Sequence, residues 1–419
     1  VPRTLVVSIV SLAFALSANP AWAAAGDPDP SFGGGDGLVV QSIHRLVIVG
    51  SGAVDGLGRT YVVGCVIRPH GGDPFIARFT QAGDPDASFG GDGLKTYDLI
   101  DRSDCAMGVA IDTRGRAIAV GPFGNRSMFV LRVREHGSRD PAFGVDGVVA
   151  TRLGLDATTH AVDVQSDGKI VVAGGSDDGM MVVRYLADGS LDPSFSGNGE
   201  APAPQLGIVT PHAVAIGGHG AIGVAGSQQA APGAETEMVV ARLTPSGVFD
   251  RRFDHDGVIT ADPTPSEDTL GGLRFTGTGK MIVGGFVVPS GGSADAYLAR
   301  YRKDGTLDPM FDGDGVRTID MGGTEGIRAL APEGSKTVAV GFAGSNVNFD
   351  LAVWRLHKDG SLDPTFGGGD GVVQLDLGDS EQPASVTVHA GLATVVGYSV
   401  ATVGGRAVTS ALVGRYLLG

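Results

Sequence analysis

The chain has 419 residues, of which 69 are glycine, 42% are hydrophobic and only 6% are aromatic, and it carries a formal charge of −15 at neutral pH. That apolar content can build a core, which excludes disorder, and the acidic balance excludes a nucleic-acid surface, which needs clustered Lys and Arg against phosphate. The length alone suggests two or three domains, but a single repeat running end to end argues for one.

In chain order, residues 1–23 read as an export signal. Arg3 supplies the charged end, Leu5 to Leu16 the apolar stretch, and Ala21-Trp22-Ala23 a small-x-small cleavage site. The apolar stretch is too short to span a bilayer and no other run approaches the length needed. A mature chain starting near Ala24 is therefore expected in the periplasm or outside the cell, without a membrane span.

From there a unit built on Asp-x-x-Phe, a Gly-rich stretch and Asp/Asn-Gly recurs every 52 to 58 residues, anchored at Phe32, Phe89, Phe143, Phe195, Phe253, Phe311 and Phe366. Within the unit, Ala161 to Gly174 shows two apolar runs separated by Asp167-Gly168, the signature of a hairpin. The turn glycine returns in every unit except the sixth, where Gly334-Ser335 predicts a shifted turn. A third strand follows near Met181 to Leu186 and a fourth after the Asp-Gly, as in Gly147 to Ala150. Four antiparallel strands per unit make a propeller blade. Helices are excluded by the dense Gly and Pro punctuation and the missing 3.6-residue period. A β-helix has shorter coils and does not need complementary ends. Here Arg415 to Gly419 stops inside a motif whose other half, Gly26 to Phe32, stands near the start. The fold class predicted is all-β: one seven-bladed propeller over residues 24–419, with the strand near Leu38 to Val40 lying against Ala411 to Tyr416 to complete the last blade and close the ring.

The units, above all Asp188-Gly189-Ser190-Leu191-Asp192-Pro193-Ser194-Phe195 and Ser166-Asp167-Gly168-Lys169-Ile170-Val171-Val172-Ala173-Gly174, resemble the bacterial delta-60 repeat, a β-propeller group without a settled activity. The resemblance covers essentially the whole mature chain. It implies a fold and an extracytoplasmic setting, and no catalytic residues.

An arginine stands in the third strand of every unit: Arg78, Arg132, Arg184, Arg242, Arg300, Arg355 and Arg415. An aspartate stands three residues before every anchor: Asp29, Asp86, Asp140, Asp192, Asp250, Asp308 and Asp363. Residues needed by every blade read as structural, and a bidentate clip holding the loop between third and fourth strands is expected. The Asp-rich run Asp308, Asp312, Asp314 and Asp320 offers the closely spaced oxygens calcium wants, although turn formation explains Asp-Gly equally well. Cys65 and Cys105, the only cysteines, fall on one rim of neighbouring blades; a disulfide and two buried thiols both fit.

The connections between blades, expected on the rim of the central channel, carry Asp104, Asp156, Glu267, Asp268, Glu325, Asp379 and Glu381, and His160 and His212 precede the inner strands of the third and fourth blades. Converging, these groups would hold a divalent cation or a cationic ligand; diverging, they are a solvated rim. Hydrolase, metalloprotease, phosphate-loop and cysteine-nucleophile motifs are missing. The sequence thus points to an exported, non-catalytic, monomeric scaffold for a protein or small ligand, without a cofactor other than calcium. The alternative is a periplasmic metal-assisted hydrolase or lyase using the rim carboxylates.

Overall fold

The computed structural model describes residues 23–42, 47–68, 71–99, 104–229, 231, 233–345, 348–403 and 406–419. The export signal read from the sequence, apart from Ala23, lies outside them, as does Asp101 on the first connection. The chain forms seven four-stranded antiparallel sheets. Blades one to six span 47–96, 108–152, 158–203, 208–261, 269–319 and 326–375, each with its strands in sequence order from the channel outward. Blade seven takes three strands from the end of the chain and its outermost, Leu38–Gln41, from the beginning. Leu38 pairs with Gly414 and Gln41 with Ala411, so head and tail share one sheet as the repeat predicts.

Second strands such as Ile170–Ser176 are buried along their whole length because both faces meet neighbouring blades, which is why they read as unbroken apolar runs. The apolar core lies between blades rather than inside one: Ile118, Val120 and Phe143 of blade two pack with Ile170, Val172 and Tyr185 of blade three. Gly168 takes the left-handed conformation the hairpin needs (φ 85°). In blade six the turn moves to Gly334-Ser335, between the paired Glu333 and Lys336.

The recurrent arginine and aspartate meet in all seven blades, with Nε–Oδ distances from 2.6 Å (Arg415–Asp29) to 3.4 Å (Arg242–Asp250). The fork-on-fork geometry expected from the sequence is not what forms. In Arg184, Nε takes Asp192 at 2.8 Å, Nη2 donates to Ser194 Oγ at 3.2 Å, and Nη1 donates to Pro245 O of the next blade at 2.5 Å. Every one of the seven arginines donates Nη1 to a backbone carbonyl of the following blade, Arg415 reaching Gln81 of blade one. Six of the seven also lie over their unit's Phe anchor, at 4.4 to 5.1 Å; Arg242 lies over Phe275 instead. The clip therefore joins blades as well as closing a loop.

Cys65 and Cys105 are disulfide-bonded, with Cα atoms 4.7 Å apart, tying blade one to the entry of blade two. Cys65 lies within the second strand, Thr60–Arg68.

Candidate functional site: the central channel

Each innermost strand carries one residue without a partner across the ladder. The register slips between Val49 and Ser51, Thr159 and Ala161, Pro211 and Ala213, Leu270 and Gly272, Ile327 and Ala329, and Pro383 and Ser385. In blade two Met107, whose N–H donates to Val120 O just ahead of the Gly108–Val120 pair, holds the same place. A bulge turns its extra residue away from the ladder. The seven so placed, Gly50, Met107, His160, His212, Gly271, Arg328 and Ala384, all line a central channel of about 750 Å³, a size that suits a small ligand.

The two histidines are stacked, with ring centroids 5.6 Å apart and planes 12° apart. Burial, then the neighbouring His160 and Arg328, push His212 down to about 3, and burial lowers His160 as well. Both rings are therefore neutral at pH 7, each with a single N–H; that of His160 is directed at the Pro211 backbone, and its Nδ1 has no partner among the described residues. Arg328 lies over the Phe342 ring at 5.1 Å, and the group favouring its charge is Tyr398 rather than an acid. Arg274, further along the channel, is lowered by burial and then by Arg300 to about 10, so it too is a cation at neutral pH; its Nε has no hydrogen-bond partner among the described residues. Asp163, the one acid among the described channel-lining residues, accepts N–H groups from Val164 at 2.7 Å and Ile216 at 3.0 Å. It latches blade three to blade four.

Among the described residues, the carboxylates expected to crown the rim do not line the channel. Of the nine rim residues named from the sequence, His160 and His212 line the channel and the seven acids do not. The connections cross the junction between blades, away from the channel: Asp104, Asp268 and Glu325 donate their N–H groups to Gly72, Thr236 and Ala294 at the start of the preceding blade's third strand. Asp104, Asp268, Glu325 and Glu381 are buried there, Asp379 is half-buried, and Asp156 and Glu267 point to solvent. The histidines sit inside their strands, Thr158–Val164 and Ile208–Ile216, at the bulge rather than ahead of it. Nor do the four calcium candidates form one set: Asp308 is taken by Arg300 and Lys280, Asp312 by Arg317, and Asp314 accepts the Val316 N–H. Asp320 joins a different cluster.

Arg328 and Arg274 escaped the sequence reading because channel residues do not repeat. The signal was present, since the column that aligns His160 with His212 continues to Arg328.

No curated protein matches the chain. A family model described as a domain of unknown function (DUF5122) beta-propeller matches residues 165–195, 277–311 and 336–366. Three of the seven repeats carry the match. Each stretch ends on its blade's Phe anchor, so what is shared is the second strand, the third strand and the Arg–Asp clip, and the channel-lining strands lie outside it. Among solved structures, the polysaccharide lyase Uly1 is similar at 11% identity over 89% of this chain and 90% of its own, with a TM-score of 0.52. Sqt1 from Chaetomium thermophilum is similar at 13% identity over 91% and 97%, with a TM-score of 0.50. Likeness at that identity concerns the fold alone. The chain is a seven-bladed β-propeller, and no described helix is long and apolar enough to cross a membrane.

Proposed function

We propose that this propeller, with repeats of the bacterial delta-60 kind, is an exported, non-catalytic binding scaffold whose channel takes a small anion bearing a carboxylate or phosphate. The observation that carries the reading is Arg328, a guanidinium on the channel wall with a phenyl ring beneath it, no ion pair to an acid among the described residues, and His212 near enough to feel its charge. Leaving a partly desolvated charge without its partner is costly in proteins, and an anion that supplies the partner recovers part of that cost. A guanidinium fork with the His212 imidazole N–H beside it suits the oxygens of a carboxylate or phosphate. The net charge of −15 disfavours polyanions at the outer surface and favours a ligand small enough to lie inside. The Cys65–Cys105 disulfide supports an oxidising compartment. Non-catalytic fits Asp163, whose two oxygens are occupied by backbone N–H groups, and the rim acids of a metal-assisted hydrolase do not face the channel.

The test is calorimetric titration of the full chain with inorganic phosphate, succinate and glucuronate. One of the three is expected to bind once per chain and to lose affinity by about tenfold or more in Arg328→Gln, a variant whose ligand-free melting temperature does not fall. Binding of none of the three, or equal binding by the variant, contradicts the reading.

A further inference from the structure

The connections that failed to line the channel gather acids at the junctions between blades. Carboxylate oxygens of Asp295, Asp320 and Glu325 lie within 4.8 Å of one another between blades five and six, and those of Asp350, Asp376 and Glu381 do so between blades six and seven. The two sets are equivalent by position. Asp295, the first residue of its third strand, and Asp350, the third residue of its own, are half-buried and stand five residues before Arg300 and Arg355. Asp320 and Asp376 directly follow the outer strands Val316–Ile319 and Val372–Leu375. Three carboxylates so close repel one another when ionised, and a cation among them relieves that repulsion while keeping all three charged.

A second observation is independent of the clustering. Glu325 and Glu381 are only 1% and 0% exposed, yet Glu325 Oε2 and Glu381 Oε1 have no donor in hydrogen-bonding geometry among the described residues, the Met321 N–H only lying near enough to Glu325 to favour its charge. Their other oxygens accept the N–H groups of Gly323 at 3.0 Å and Leu377 at 3.4 Å. A buried carboxylate oxygen left without a donor is costly, and a cation bound by the neighbouring acids as well would satisfy it. Beside Glu325 a cavity of about 280 Å³ opens between Gly323 and Gly344.

Two other junctions carry acids at the same positions and serve as internal comparisons, because there the protein supplies its own donors. Arg68 pairs with Asp73 at 2.5 Å in the first. In the fourth, Gln228 Nε2 donates to Glu237 at 2.9 Å, and the Thr264 N–H and hydroxyl donate to Asp268 at 2.9 and 2.8 Å. At the sixth, Gln374 donates to Asp350 at 2.6 Å and leaves the Glu381 oxygen unserved.

We infer that the junctions between blades five and six and between blades six and seven each bind one calcium ion. The ligands are all oxygen, which selects a hard cation. Three carboxylates in an irregular, solvent-open arrangement, with water completing the shell, suit calcium better than magnesium, which demands a near-ideal octahedron. Each ion ties the outer edge of one blade to the inner strand of the next.

Calcium chloride titrated into the dialysed full chain is expected to show two equivalents with a dissociation constant on the order of 10⁻⁴ M, and to raise the melting temperature where magnesium does not. Asp320→Asn and Asp376→Asn, at exposed positions, should each remove one equivalent and the double variant both. Without calcium the double variant should melt no lower than the parent, because repulsion is relieved. No heat and no melting shift at millimolar calcium, or two equivalents retained by the double variant, overturns the inference.

Discussion

At the residue scale the fold rests on one clip repeated around the ring. Burial pushes the Asp192 carboxyl up, but the Ser194 hydroxyl and N–H, Lys169 and Arg184 outweigh it and hold the group well below the usual carboxylate range. The six equivalent aspartates are also lowered. A folded-state pKa below the unfolded value near about 3.9 gives stability that is complete above that value and is lost as pH falls through the folded one. Glu381 works in the opposite direction: burial, then Asp350, Asp376 and Asp379, raise it to about 7, so the calcium-free chain loses stability as pH rises through that value. Melting temperature in the absence of calcium is expected to peak near about pH 5 and to fall steeply below about pH 4; a flat profile across that range would remove both groups from the account. Asp192→Ala leaves Arg184, 4% exposed, without its acid and should cost on the order of 3 kcal/mol by urea denaturation, whereas an unchanged midpoint would show that Lys169 and the Nη bonds suffice. The arginine and aspartate were legible in sequence because every blade needs them. The reach of Nη1 into the next blade was not, because the spacing of residues along one blade does not contain the distance to its neighbour.

At the element scale, hairpin turns decide how each blade is strung. Turn glycines fixed most of them from sequence, Gly391 of blade seven among them, but the backbone of the residue before that glycine was not legible. That turn is Ala390-Gly391 between the paired His389 and Leu392, and Ala390, exposed, is held at φ 51°. A left-handed alanine is strained and asparagine tolerates the region, so Ala390→Asn should stabilise the chain by about 1 kcal/mol, read as a rise in melting temperature. The disulfide acts on a longer stretch, 40 residues. Reduction without other change should lower stability by about 4 kcal/mol in the chain-entropy picture, measured by denaturation with and without dithiothreitol. Bulges were the elements that sequence did not reveal. They carry no residue signature of their own, and they alone turn His160, His212 and Arg328 toward the channel while the acids of the neighbouring loops turn into the junctions.

For the whole molecule, the ring is closed by a strand from one end of the chain and three from the other. The Asp29–Arg415 pair, the packing of Phe32 under Arg415, and Ser385, whose hydroxyl bonds both the N–H and the carbonyl of Gly52 in blade one, all sit at this closure. Removing residues 24–42 should expose the edge strand Arg406–Leu417, lower the melting temperature and promote self-association seen by size-exclusion chromatography. Closure also makes the channel, and the channel brings two guanidiniums with no ion pair among the described residues and two neutral imidazoles together in a chain that is otherwise strongly acidic. Titration of the His212 side chain by NMR, assigned through His212→Gln, tests that arrangement most directly. In the free chain His212 is expected to stay neutral throughout the pH range in which the protein is folded, and saturation with the anion that binds should bring its titration up into that range. A His212 that titrates at the ordinary value near about 6.5, unmoved by phosphate, succinate or glucuronate, would contradict the account.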